Sequence, residues 1–191
     1  MNQAEGLEER NPINLINLCK VFRVFDSYDE LQSLTYQDTT MSQSISTLYT
    51  HATFSTKDRN LWINEQIRDN LHAYMASILK NLNSPALIIN SMPDHVHILF
   101  RVSKTITITD VMEEVKKSSS KWIKVQPKGV SSFYWQKGYG AFSLSGSHLD
   151  VVTRYIANQK EHHKKFTYRE EVERLMKKYN VTEYDPKYYW D

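Results

Sequence analysis

From residue 45 onward the chain alternates between stretches of period two and stretches of helical period. Residues 45–55 are rich in β-branched and aromatic side chains and read as a strand. Ile67, Leu71, Tyr74, Met75, Ile78, Leu79 and Leu82 then fall on one helical face, and Pro85 ends that pattern. Residues 86–91 read as a second strand, and residues 95–102 as a third after the Pro93-Asp94 turn. Asp110, followed three residues later by Glu113, marks a helix start. Val111, Met112, Val115, Trp122 and Ile123 form the apolar side of that helix. Residues 133–135 and 139–144 supply a fourth strand or a hairpin. Ser147 with Asp150 resembles a capping box that opens a further helix. Residues 170–179 predict a last helix, and the aromatic tail over 184–190 is expected to dock on another surface.

The predicted order β-α-β-β-α-β, followed by helices, belongs to the α+β class. It is the signature of a split βαβ, a ferredoxin-like or RRM-like sandwich, here with an additional C-terminal helix. In that topology the first and third strands are central. The two crossover helices cover one face, and the other face is expected to stay open for a substrate and a further helix.

Composition narrows the classes without naming a chemistry. The chain has 191 residues, of which 40% are hydrophobic, enough for one domain with a real core. No apolar run is long enough to cross a bilayer, and the start does not resemble a signal peptide, so the chain reads as soluble and cytoplasmic. A single cysteine, Cys19, excludes an internal disulfide framework and a thiolate zinc cluster. The net charge of +2 hides an asymmetry. Residues 1–40 carry seven acidic and three basic side chains, have weak periodicity and read as a poorly ordered N-terminal extension. Met41 resembles a natural protein start, so the functional domain is expected over 41–191. Its basic residues gather at Lys116, Lys117, Lys121, Lys124 and Lys128, and again at Arg154, Lys160, Lys164 and Lys165. Those groups suit either solvated helix faces or a track for a polyanion.

Candidate chemistry sits in two segments. In Met92-Pro93-Asp94-His95-Val96-His97-Ile98-Leu99-Phe100 the strand alternation sends His95 and His97 to one face and Val96 into the helix-packed layer. Two imidazoles about 7 Å apart along a strand can grip one divalent ion if a third ligand arrives from elsewhere. In Tyr155-Ile156-Ala157-Asn158-Gln159, helical spacing puts Tyr155 and Gln159 one turn apart on one face. A histidine-triad hydrolase needs a third alternating histidine, and position 99 is Leu. A two-histidine phosphodiesterase needs a second His-x-Thr or His-x-Ser element, which is absent, and a cupin is all-β. A phenol of ordinary pKa, about 10, is only about one part in a thousand ionised at neutral pH, so Tyr155 needs a cation or base to act as a nucleophile. The mixed nitrogen and oxygen set of His95, His97 and Gln159 suits Mn²⁺, or Mg²⁺ with waters completing the shell.

The runs Pro93-Asp94-His95-Val96-His97 and Tyr155-Ile156-Ala157-Asn158-Gln159 resemble the two signatures of single-tyrosine HUH transposases, the enzymes of the smallest insertion sequences and their REP-associated relatives. Tyr49-Thr50-His51-Ala52-Thr53-Phe54-Ser55-Thr56-Lys57 and Trp135-Gln136-Lys137-Gly138-Tyr139-Gly140-Ala141-Phe142 fit the same pattern, so the similarity spans residues 41–168. It implies that His95, His97 and Gln159 hold a divalent metal and that Tyr155 on the C-terminal helix attacks single-stranded DNA. The products are a 5′-phosphotyrosine and a free 3′-hydroxyl. It also implies hairpin-bearing DNA as substrate and a homodimer in which subunits can share active sites.

Lys116, Lys117 and Lys121 are expected backbone contacts for DNA, with Arg154 and Lys160 beside the tyrosine. Asp94 reads first as a turn residue and second as a carboxylate that orients a histidine. Asn158 is read as a DNA contact or a local cap. His162 and His163 are read as exposed helix surface, and Trp122 as core. Two other functions compete. A non-catalytic nucleic-acid-binding module would use the same sandwich. A related HUH nickase would usually need extra domains or a second tyrosine.

Overall fold

Thr50, Ala52 and Phe54 point to one side of the first strand while His51, Thr53 and Ser55 point to the other, and that alternation organises the sheet and what packs on it. This computed structural model describes residues 44–185 and Trp190. The extension expected over 1–40 lies outside the described residues. The elements run β1 (Tyr49–Ser55), α1 (Glu65–Asn81), β2 (Ala86–Ser91), β3 (His95–Arg101), α2 (Ile108–Lys124), β4 (Gly140–Leu144), α3 (Leu149–Ala157), α4 (Gln159–His162) and α5 (Tyr168–Lys178).

The four strands form one antiparallel sheet in the order β2-β3-β1-β4, with β1 and β3 central as expected for the βαββαβ sandwich. Thr53 lies opposite His97 and Ser55 opposite His95. Ala52, Phe54, Val96, Ile98 and Phe100 face the crossover helices, where Leu71, Met75 and Leu79 of α1 and Val111, Val115 and Ile123 of α2 complete the main core. On the opposite face Leu99 packs with Val152 and Ile156 of α3. Burying an apolar side chain of this size contributes roughly 1.5–3 kcal/mol, which explains why the alternation fixes the register.

Local signals explain the helix ends. The Asn64 side chain accepts from the backbone N–H of Gln66 and Ile67 at 3.0 and 3.1 Å and starts α1. At its other end Asn83 takes a positive φ of 52°. The N–H of Asn83 and Ser84 donate to the carbonyls of Lys80 and Leu79, a Schellman closure just before Pro85.

Three expected boundaries move. Thr107, not Asp110, caps α2: its hydroxyl oxygen accepts from the Asp110 N–H at 3.1 Å, so the helix opens a turn earlier than the acidic pair implied. The capping box expected at Ser147 and Asp150 is replaced by a short 3-10 turn over Gly146–His148, in which Ser147 contacts His148 and Ser145. A true capping box sits instead at Thr167 and Glu170, opening α5. Residues 133–135 do not form a strand. They make a single bridge between Trp135 and Thr56, and the fourth strand is Gly140–Leu144 alone. Trp122 is partly buried and packs against the core, stacked on Tyr74 with ring centroids 5.3 Å apart. From the tail, Tyr184 and Trp190 pack against Tyr168, Val172 and Met176 of α5.

Candidate active site

The histidine face of the sheet is not open. The chain turns back across it through α3, α4 and α5, and His95 and His97 are left 1% and 0% exposed. Asn90 on β2 helps to dock this layer, its side-chain amide donating to the carbonyls of Ile156 and Ala157 at 2.7 and 3.2 Å. Tyr155 and Gln159 share a face as their spacing predicted, although the helix is broken between them at Asn158. The Asn158 carbonyl accepts from the N–H of Glu161 and His162 and starts the next turn, while the Asn158 side chain forms no cap.

Each imidazole on β3 is held by its Nδ1. His95 Nδ1 donates to the Asp94 carboxylate at 2.7 Å, so Asp94 orients a histidine as well as turning the chain after Pro93. His97 Nδ1 lies 3.0 Å from Nε2 of His51 on β1. Tyr168 of α5 stacks on His95 with centroids 4.3 Å apart. Burial lowers the pKa of His95 to about 4, against the opposing pull of Asp94, and burial with the neighbouring His97 lowers His51 to about 3. At neutral pH both rings are therefore neutral, the form that can donate a lone pair to a cation.

The organising group is one that neither motif contains, Glu171 of α5, 1% exposed. Its Oε1 accepts a short hydrogen bond from the Tyr155 hydroxyl and another from Nε2 of Gln159 at 3.0 Å. Its Oε2 lies 3.5 Å from Nε2 of His97, 3.9 Å from Nε2 of His95 and 3.0 Å from Nε2 of His163. Burial works to raise the Glu171 pKa, but its interactions with His97, His163 and Tyr155 outweigh burial and hold the carboxyl well below its ordinary range. Burial and the Glu171 carboxylate push the Tyr155 phenol well above its ordinary value.

Buried polar atoms normally find partners, yet several here have none. Nε2 of His95, His97, His162 and His163, Oε1 of Gln159 and Oε2 of Glu171 are all buried without a hydrogen bond. Ligand atoms of His95, His97, His163 and Glu171 lie within 4.8 Å of one another. Three converging imidazole nitrogens beside a carboxylate fit a divalent cation, so this buried cluster could hold one.

The basic residues divide by layer. Lys116 Nζ donates to the carbonyls of Lys137 and Gly138, each at 2.9 Å, and burial lowers its pKa to about 8. It ties the loop before β4 to α2 on the side of the sheet away from the histidines. Lys117 pairs with Glu114 at 3.7 Å, and Lys121 is exposed on the same helix. Arg154 instead lines an open cleft with Tyr155, Asn158, His162, Lys165 and Phe166. Lys160 is exposed nearby and pairs with Glu65 at 3.7 Å.

His163 and Glu171 were legible in principle. His163 continues the stripe of Tyr155 and Gln159 at intervals of four, and it is half-buried rather than surface. Glu171 interrupts the apolar stripe of Tyr168, Val172, Leu175 and Met176. A lone carboxylate at a core position is the anomaly that marks a site.

Known proteins supply the family. Solved structures similar to this chain include two described as transposases. One is a protein described as a transposase of Deinococcus radiodurans R1, 22% identical, covering 61% of this chain and 93% of its own, with a TM-score of 0.47. The other is a REP-associated tyrosine transposase bound to a REP hairpin, 12% identical, covering 64% of this chain and 74% of its own, with a TM-score of 0.46. No curated protein sequence matches the chain. Among the described residues, no helix is long and apolar enough to cross a membrane. The model of the IS200-like transposases matches residues 44–159, from the entry to β1 through Gln159, and the chain belongs to that family.

Proposed function

We propose that this transposase-family chain cuts and rejoins single-stranded DNA through Tyr155, at a divalent metal held by His95, His97 and Gln159. The observation that carries the reading is the single carboxylate of Glu171, which touches the Tyr155 hydroxyl with one oxygen and faces the imidazoles of His95 and His97 with the other. Tyr155, His95 and His97 therefore meet around one carboxylate on one face of the sheet, which supports the reading.

The Tyr155 oxygen forms a bond to phosphorus as the bond to the leaving 3′ oxygen breaks, giving a 5′-phosphotyrosine and a 3′-hydroxyl. The energy of the phosphodiester stays in the new ester, so rejoining to another strand needs no nucleotide cofactor. Glu171 accepts the hydroxyl hydrogen and orients the phenol oxygen, whose proton ends on the leaving 3′ oxygen as the 3′-hydroxyl forms. Asp94 keeps the His95 ring in the tautomer that presents the Nε2 lone pair, and His51 holds the His97 ring in place through Nδ1. Held by His95, His97 and Gln159, a divalent ion such as Mg²⁺ or Mn²⁺ would supply positive charge to stabilise the charge that develops on the phosphate. The cleft lined by Arg154, Tyr155 and Lys165 offers the strand a route to the hydroxyl, and DNA with hairpins is the substrate class to test.

The test is covalent capture. With Mn²⁺ or Mg²⁺, hairpin-bearing single-stranded DNA should give a protein–DNA adduct on denaturing gels. Tyr155→Phe should bind the DNA but form no adduct, a loss on the order of 10³-fold or more in cleavage, as expected for removal of a nucleophile. An adduct formed by Tyr155→Phe refutes the assignment. Binding without cleavage by the unaltered chain would instead favour a nucleic-acid-binding module.

A further inference from the structure

We infer that the metal centre of this chain takes His163 and Glu171 as ligands beside His95 and His97, making a three-imidazole, one-carboxylate site selective for Mn²⁺, Co²⁺ or Zn²⁺ over Mg²⁺. The inference rests on the reading above, that His95 and His97 hold a metal, and extends it to two groups supplied by the segments that close the site.

Four side chains share one pattern. His95 has its Nδ1 on Asp94, His97 has its Nδ1 on His51, and His163 has its Nδ1 donating to the Phe166 carbonyl at 2.9 Å. Glu171 has its Oε1 on Tyr155 and Gln159. In every case one polar atom is anchored by the protein, and the remaining one is buried, unbonded and turned to a common point. Anchoring the far nitrogen of an imidazole to a carboxylate or carbonyl is how proteins aim a metal-ligating histidine.

The spacing also suits an ion. Atoms bound about 2.1 Å from one cation sit about 3.0 Å apart at right angles and about 3.4 Å apart in a tetrahedron. Oε2 of Glu171 stands 3.0, 3.5 and 3.9 Å from the three Nε2 atoms. His163 and Glu171 stand as a 3.0 Å ion-pair contact, and a cation entering the site would replace the proton of that pair. Mg²⁺ prefers an oxygen shell with several waters, whereas imidazole-rich sets favour later first-row ions. Gln159 then has two duties, holding Glu171 through its amide nitrogen and keeping its unbonded Oε1 for the same ion, as the proposed function requires.

Metal binding by the full chain, with no DNA present, tests the assignment. Titration with Mn²⁺ alone, followed by the electron paramagnetic resonance of the free ion, should show Glu171→Gln and His163→Ala each at least about tenfold weaker than the unaltered chain, the scale of loss seen for groups at a metal centre. His97→Ala should bind weaker still. Electron spin-echo modulation of the Mn²⁺-loaded unaltered chain counts coordinated imidazoles without any substitution, and should find three. A hundredfold excess of Mg²⁺ should leave that signal in place. Two imidazoles, or Mn²⁺ affinity unchanged in both Glu171→Gln and His163→Ala while His97→Ala is impaired, overturns the inference. His163 and Glu171 would then be an ion pair that caps the site, and the proposed function would stand. Unchanged binding in His97→Ala as well removes the metal from the proposed function and the inference with it.

Discussion

On the helix-packed face of the sheet, Ala52, Phe54, Val96, Ile98 and Phe100 are fully buried and ask for nothing but close packing. One residue along the same strands, His51, Thr53, His95 and His97 are buried as completely, yet they carry polar atoms, and two of those atoms have no partner. The first face resembles any sandwich core. The second keeps unmatched lone pairs out of water, which costs on the order of 1–3 kcal/mol per atom. The contrast teaches that a pleated strand can carry stability on one side and chemistry on the other, because alternate side chains never compete for the same space.

If the faces are separable, truncating each should damage a different property. Phe54→Ala should lower unfolding stability by about 3–5 kcal/mol, measured by urea denaturation, while the folded protein keeps its Mn²⁺ affinity within about twofold. A fall in affinity at unchanged stability would break the separation. Asp94→Ala makes the converse cut. Without the acceptor for His95 Nδ1, Mn²⁺ affinity should drop about 10- to 100-fold by titration, while the metal-free chain loses only the about 1–3 kcal/mol of one unpaired buried N–H, less than Phe54→Ala costs. The smallest effect concerns the outer layers. Arg154→Ala, beside the tyrosine, should reduce the salt slope of single-strand DNA binding by about 0.7, the share of one neutralised phosphate. Lys121→Ala, on the opposite layer, should leave that slope unchanged, and an equal effect from both would mean that DNA engages both layers.

Several expectations missed by a turn or by a partner, for identifiable reasons. Thr107 displaced Asp110 as the cap of α2 because a cap is decided by which hydroxyl or carboxylate meets the free N–H groups, and several nearby residues qualify. Residues 133–135 looked like a strand because aromatic residues favour both strands and cores. Phe133 and Trp135 are core without a ladder. Lys116, expected to contact DNA, also holds the carbonyls of Lys137 and Gly138, partners that its place in a run of lysines does not reveal.

What the sequence determined by itself was everything that depends on local period. A two-residue repeat sets His95 and His97 on one face and Val96 on the other, and a four-residue interval aligns Tyr155 with Gln159, because backbone dihedrals alone impose those repeats. The tertiary structure decided that the histidine face is closed, that Asp94 and His51 aim the imidazoles, and that Glu171 joins the phenol to them. Those outcomes depend on where the chain travels after Asn158 and on how α5 docks. His51 and Glu171 reach the same His97 from opposite directions along the chain, and such long-range meetings arise from packing of whole elements, which no short-range pattern encodes.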